Sequence, residues 1–232
     1  MMAWKKNMLP VLLCLLFGVV TGCKRGQDSE SKEPQRMVEA YIRFLVPENE
    51  YKAQLVFMAG DSAANLRPVK LIQGVTWDGK ALRAKNPGTP EFRYELLKSG
   101  PYTPRHVFGF VEEDGTSREL EVEMEPVEEF SIGPVISPAS GAMLTITGAA
   151  LSEGEKLLLL FTDAQGNSHQ LAFKGPSQAK SFELSPEMLR PLRPGKYELY
   201  LIKQQERESK QHQHTVFSVV EWYSDLIVLE VR

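Results

Sequence analysis

From Met37 onward the chain alternates short apolar runs with turn-forming residues, and no long stretch repeats at the 3.6-residue period of a helix. Runs rich in Val, Ile, Leu, Tyr and Phe at residues 39–46, 51–58, 69–77 and 92–97 predict strands. The residues from Pro47 to Glu50, the Asp78-Gly79 pair and the stretch from Asn86 to Pro90 predict the intervening turns and loops. Further strands are expected at residues 105–112, 156–161, 169–173, 179–184, 195–203, 214–220 and 226–231. Ser185 followed by Pro186 predicts one helical turn, with the serine as N-cap and the proline at the first position. The pattern therefore predicts an all-β fold.

Two hairpins can be placed in register from the pattern alone. Leu120, Val122 and Met124 alternate with Glu119, Glu121, Glu123 and Glu125, so one face of this strand is apolar and the other acidic. A two-residue turn at Asp114-Gly115 would set Phe108 and Phe110 opposite Glu121 and Glu119. A three-residue loop with Gly115 in the left-handed region sets them opposite Leu120 and Arg118, and Arg105 opposite Glu123. A one-residue slip turns every side chain to the other face, so apolar burial selects the longer loop. By the same logic Gly166 closes a hairpin that pairs Leu157 with Phe173 and Leu159 with Leu171. Leu158 and Leu160 then lie on the outer side, to be covered by the second sheet, the other domain or another protein.

The N-terminus follows a different pattern. Lys5 and Lys6 precede an apolar run from Leu9 to Val20. That run is shorter than the roughly 20 residues a membrane-spanning helix needs, and it suits a secretory signal. It ends in Val20-Thr21-Gly22-Cys23, which resembles the lipobox of bacterial lipoproteins. The resemblance implies cleavage before Cys23, diacylglycerol on its thiol and an acylated N-terminus. Residues 1–22 are then the signal peptide, and residues 23–35, polar after the lipidated Cys23, are a flexible tether. Acidic residues close behind Cys23 resemble surface-export signals of some Bacteroidetes lipoproteins, although Lys24 and Arg25 come first. These resemblances place the protein in the bacterial cell envelope, on the outer membrane, facing either the periplasm or the cell surface.

The remaining length accommodates two β-domains, expected at residues 36–130 and 131–232, with residues 126–134 as the junction. Ile136-Ser137-Pro138, Ser140-Gly141, the run from Leu144 to Gly148 and Leu151 resemble the opening of an IPT/TIG domain. That resemblance, over residues 134–220, implies an immunoglobulin-like sandwich and no chemistry. Gly100-Pro101-Tyr102 and Gly195-Lys196-Tyr197 resemble each other and the tyrosine corner of sandwich folds, which predicts two tandem immunoglobulin-like sandwiches.

Composition and charge narrow the function. Of the two cysteines, Cys14 is lost with the signal and Cys23 is lipidated, so apolar cores rather than disulfides hold the mature chain. The formal charge of −3 argues against nucleic acid, which requires a basic face. The sequence contains no nucleophile elbow, phosphate loop or HExxH zinc motif, so no catalytic residue and no cofactor are expected. Same-face glutamates about 7 Å apart on one strand do not reach a shared calcium ion with oxygens at about 2.4 Å. His212 and His214 share a face if both lie on a strand, but a zinc ion needs further ligands, and His169 and Glu208 are the available ones. The polar stretch from Gln204 to Gln213 is expected to be a hairpin tip carrying exposed histidines. Trp222 and Tyr223, in an expected loop from Glu221 to Asp225, and Trp77, before the Asp78-Gly79 turn, are the candidate contacts for a ligand or partner. Trp222 has a second reading as a plug in the base of the sandwich.

The function expected is non-catalytic binding or assembly of a lipid-anchored envelope protein with a protein or glycan partner. Carbohydrate binding through loop aromatics and a hydrolase with a scattered site are the alternatives. A pocket with paired carboxylates would favour the hydrolase, and a flat exposed aromatic platform would favour sugar.

Overall fold

The computed structural model describes residues 34–88 and 91–232. The expected signal peptide, lipidation site and most of the tether lie outside the described residues. In the first half the strands are β1 (Gln35–Leu45), β2 (Glu50–Gly60), β3 (Arg67–Pro68), β4 (Val75–Trp77), β5 (Lys80–Ala81), β6 (Arg83–Gly88), β7 (Glu91–Ser99), β8 (Arg105–Val111) and β9 (Ser117–Glu123). The second half adds β10 (Val127–Ser131), β11 (Val135–Ile136), β12 (Ala142–Gly148), β13 (Glu155–Asp163), β14 (Ser168–Lys174), β15 (Ser181–Leu184), β16 (Gly195–Gln211), β17 (His214–Tyr223) and β18 (Ile227–Val231). The helical content among the described residues is one turn, α1 (Pro186–Leu189), and one 3-10 turn at Ala63–Asn65. Ser185 Oγ accepts the backbone N–H of Met188, so the predicted cap is formed. The protein is all-β, as the pattern predicts.

Three sheets form the layers. The largest has eleven strands along the path β11-β18-β16-β17-β1-β2-β7-β6, with β13 and β14 added beside β16 and β3 beside β2. A four-stranded sheet, β5-β4-β8-β9, packs on the β1–β2 part. Phe57 meets Phe110 across that interior with ring centroids 4.8 Å apart, and Tyr51 meets Trp77 at 5.4 Å. A three-stranded sheet, β10-β12-β15, belongs to the other end, where Phe173 of β14 lies 4.9 Å from Phe182 of β15. The whole is a double β-sandwich built on one shared sheet.

Both hairpin registers agree with the pattern. Arg105 pairs with Glu123, Phe108 with Leu120 and Phe110 with Arg118, and Gly115 has φ +86°. Leu157 pairs with Phe173 and Leu159 with Leu171, and Gly166 has φ +82°. Leu120, Val122 and Met124 are buried while the alternating glutamates are exposed. The two Gly-x-Tyr segments share backbone geometry, with φ +150° at Gly100 and +151° at Gly195. Tyr102 donates to the carbonyl of Met124 at 2.7 Å, and the Tyr197 hydroxyl accepts from the backbone N–H of Arg193.

Four local expectations are corrected. The stretch from Gln204 to Gln213 is not a tip: β16 continues to Gln211, and only His212 and Gln213 turn. Its polar sequence reflects an exposed ribbon beyond Gln205, where β13 ends and β16 pairs only with β17. The expected junction at residues 126–134 contains β10, whose Val127 is buried and whose partner is β12. The loop expected from Asn86 is strand as far as Gly88, with a register shift between Lys85 and Gly88. Of residues 69–77, only Val75–Trp77 is strand, because Gly74 takes φ +76° just before it.

The sheet also crosses the boundary expected between residues 130 and 131. The first residues of β16 pair with β18, its middle with β13, and its last ten with β17. β17 then lies parallel to β1, from the Arg36–His214 pair to the Leu45–Tyr223 pair. A hairpin from the end of the chain thus supplies strands to the sheet that begins the described chain. At the seam Lys203, fully buried, places Nζ 3.0 Å from Glu155 Oε2 and donates to the carbonyl of Glu125 at 2.8 Å. Glu155 Oε2 also accepts the backbone N–H of Ser152 at 2.7 Å. The ammonium therefore joins the end of the β8–β9 hairpin to the start of β13.

Breaking such a pair leaves a lone buried charge, which costs about 3–5 kcal/mol. Lys203→Met and Glu155→Gln are each expected to lower unfolding free energy by about that much, measured by urea denaturation. The double variant Lys203→Met/Glu155→Leu is expected to lose less than the sum of the two.

Candidate functional site

The inner face of the shared sheet explains where the candidate aromatics lie. One row runs across the seam through Tyr51, Phe44, Trp222, Lys203, Leu157 and Phe173, each paired with the next by strand register. Trp222 is 6% exposed and belongs to the core. It is on β17, not in a loop, and its position between Phe44 and the Lys203 stem is that of a plug between two sandwiches. Trp77 is fully buried, with Tyr51, His106 and Phe108 rings around it. Lys98 Nζ lies 4.9 Å from the Trp77 ring centroid and 3.4 Å from Asp78. Neither indole presents a face to a ligand. Sequence reasoning placed both beside turns, where exposure is the common outcome. The signal for burial was available in the alternation of Val75 and Trp77, and of Trp222 with Val220.

Tyr223 differs, because a one-residue step along a strand reverses the face. It lies half-buried on the outer face in the row Leu45, Tyr223, Ile202, Leu158 and Ala172. Next to it, Tyr200 pairs with Leu160, and both are half-buried. The neighbouring row contains Glu221, which accepts from Tyr41 at 2.7 Å, from Gln204 at 2.7 Å and from Tyr223 at 3.2 Å. Burial and the Glu221 carboxylate push the Tyr223 hydroxyl up to about 12, and burial with the same carboxylate raises Tyr41 further. Both phenols are therefore neutral hydrogen-bond donors at neutral pH. Leu158, Leu160 and Ile202, flanked by Tyr200 and Tyr223, form an apolar band edged by this network. The band crosses the seam on the face opposite Trp222 and Lys203.

The histidines separate. His212 occupies the turn with φ +55°, and its Nε2 lies 3.0 Å from the carbonyl of Glu119. Gln211 adds an amide pair to Glu121, accepting its N–H at 2.8 Å and donating to its carbonyl at 2.9 Å. Together they cover the free edge of β9, which would otherwise be open to strand pairing. His214 turns inward against Phe110, with ring centroids 5.4 Å apart. His169 lies near the Met188 carbonyl at the far end of the second sandwich. Among the described residues, no three His, Cys, Asp or Glu gather as metal ligands do. The acidic strand face is held by Arg105, whose guanidinium bonds Glu121 and stands 3.7 Å from Glu123.

A polar cleft of about 1130 Å³ lies at the seam beside Lys203, Gln205, Glu123, Glu125, Glu153 and Arg207. Its carboxylates are partly neutralised by Arg105 and Lys203.

The Trp222 side chain fills the seam, so Trp222→Ala is expected to cost about 3–5 kcal/mol of stability, seen as a large fall in melting temperature. A second expectation concerns pH. Burial holds the His106 and His214 imidazoles below their ordinary value, with Asp78 and Glu112 opposing the shift. The unfolded chain therefore binds more protons below about pH 6.5. Their contribution to stability is complete above that pH and is lost as pH falls through the folded values. In chemical denaturation between about pH 6.5 and 5, His106→Phe/His214→Phe is expected to show a flatter loss of stability than the unsubstituted chain.

No protein-family model matches the chain, and no curated protein matches it significantly. Among solved structures it is similar to the crystal structure of a tetra-tandem repeat in the extending region of a large adhesion protein, at 12% identity over 84% of this chain with a TM-score of 0.33. The chain spans about half of that structure, 49% of its length.

Proposed function

We propose that this protein is a lipid-anchored component of a bacterial cell envelope, on the outer membrane, with a non-catalytic binding or assembly role. Cys23 carries the lipid, since the chain ahead of it has the charge, length and small residues of a lipoprotein signal. Two or more acyl chains anchor stably where one does not. The two sandwiches are immunoglobulin-like modules fused through one sheet, which makes them a stiff spacer rather than beads on a linker.

The observation that carries the binding role is the band of Leu158, Leu160, Tyr200, Ile202 and Tyr223 on the outer sheet face. Ile202 is buried and the other four are half-buried, and such aliphatic and tyrosine side chains around a hydrogen-bonded polar rim have the composition of protein interface cores. A protein partner is favoured over a glycan, because sugar stacking was expected from the tryptophans and both indoles are inside. Tyrosines and leucines on a flat sheet also suit a broad contact better than a pocket.

Two measurements test the proposal in the native cell. Metabolic labelling with a palmitate analogue is expected to mark the protein and to be lost in Cys23→Ala, and label retained in that variant contradicts the anchor. A photo-crosslinking residue at position 200 is expected to give a discrete protein adduct that one at position 113 does not. An adduct pattern identical at the two positions contradicts the binding face.

A further inference from the structure

A smaller cavity of about 230 Å³ lies at the other end of the first sandwich, away from the outer sheet face. Its floor is apolar: Phe57 and Met58 of β2, Leu71 after β3 and Phe110 of β8. Its wall is held in place. The Tyr94 hydroxyl donates to the Leu71 carbonyl at 3.2 Å and accepts its N–H at 2.8 Å, and the N–H of Val69 reaches the Phe57 carbonyl at 2.8 Å. Exposed Pro34 and Glu113 stand at the rim.

Two polar features set the chemistry. His214 lines the cavity, is 5% exposed, and has no hydrogen-bond partner at Nδ1. An unpaired buried polar atom has lost the partner that water gave it, so a ligand that supplies the partner gains affinity. At the rim, Arg36 is engaged by Glu112, which also takes Arg118 at 3.1 Å. Arg36 and Arg118 then balance Glu112 and Glu113, so the rim carries no net charge to draw an ionic ligand. An engineered apolar cavity of about 150 Å³ holds benzene, so the space here suits one substituted ring.

We propose that this cavity binds a neutral single-ring alcohol, with its ring against Phe57, Leu71 and Phe110 and its hydroxyl paired with His214 Nδ1. The hydroxyl both donates and accepts, so it matches either neutral tautomer.

The test uses the full lipidated chain in nanodiscs and fluorine NMR, with 4-fluorophenol and 4-fluorotoluene as probes. Comparison among variants in identical discs cancels partition into lipid. The unsubstituted protein is expected to shift the 4-fluorophenol signal saturably and to prefer it to 4-fluorotoluene by about tenfold, the factor of one satisfied hydrogen bond. Ala59→Phe fills the cavity and is expected to abolish the shift, and Leu71→Trp does the same from a loop should Ala59→Phe not fold. His214→Phe is expected to bind both probes alike. No saturable shift in the unsubstituted protein, or an unchanged one in a folded filling variant, overturns the site. A phenol preference that survives His214→Phe overturns the assigned contact.

Discussion

The architecture depends on one ladder, the parallel pairing of β17 with β1. Ten residue pairs join the segment that opens the described chain to one near its end. Without that ladder, β16 beyond Gln205 and all of β17 would project as an exposed hairpin, and β1 would be an open edge. With it, one eleven-stranded sheet runs through both sandwiches. The closing contact is non-local by about 180 residues, so the sequence between its partners must be largely collapsed before it is stable. The small sheets then serve as lids on a shared base.

A shared base creates a seam, and the seam has unusual chemistry. Apolar side chains fill most of the inner face, yet Lys203 is buried there beside Trp222 and Leu157. Its charge is matched by Glu155, and its remaining donors reach the carbonyls of Glu125 and, at 3.4 Å, Ala150. Both carbonyls belong to connections between elements, where no ladder partner exists. The lysine therefore satisfies backbone groups that a leucine at the same place would leave stranded. Gln205, two residues on, continues this by donating to Glu155. The strand ladders across the seam fix the arrangement of the sandwiches, and these side-chain bonds tie the connecting segments to it.

The same alternation that buries Trp222 puts Tyr223 outside, and this links fold to function. The outer face at the seam keeps Leu158, Leu160 and Ile202, where an antiparallel sheet commonly carries polar side chains. Glu221 partly compensates by collecting three hydrogen bonds at the edge of the band. What remains is a semi-apolar surface on the outer side of the shared sheet.

The sequence by itself determined the class of fold and much of its local detail. Period-two alternation separated core from solvent at Glu119 to Met124, and burial with a left-handed glycine placed both hairpins in register. These are short-range problems, in which a slip of one residue exposes a whole face. It also placed the Ser185 cap, whose chemistry lies within four residues. The tertiary structure alone decided the rest. Trp77 and Trp222 sit beside turns in sequence, and only the packing of sheets put them inside. The polar run after Gln204 looks like a tip because no local rule shows that β17 and β1 lie beside it. The Lys203–Glu155 pair joins residues 48 positions apart, and the His214 cavity gathers five separate segments. Pattern reads which side of a strand is wet, but which strands share a sheet is settled by long-range burial, and the candidate sites lie where distant strands meet.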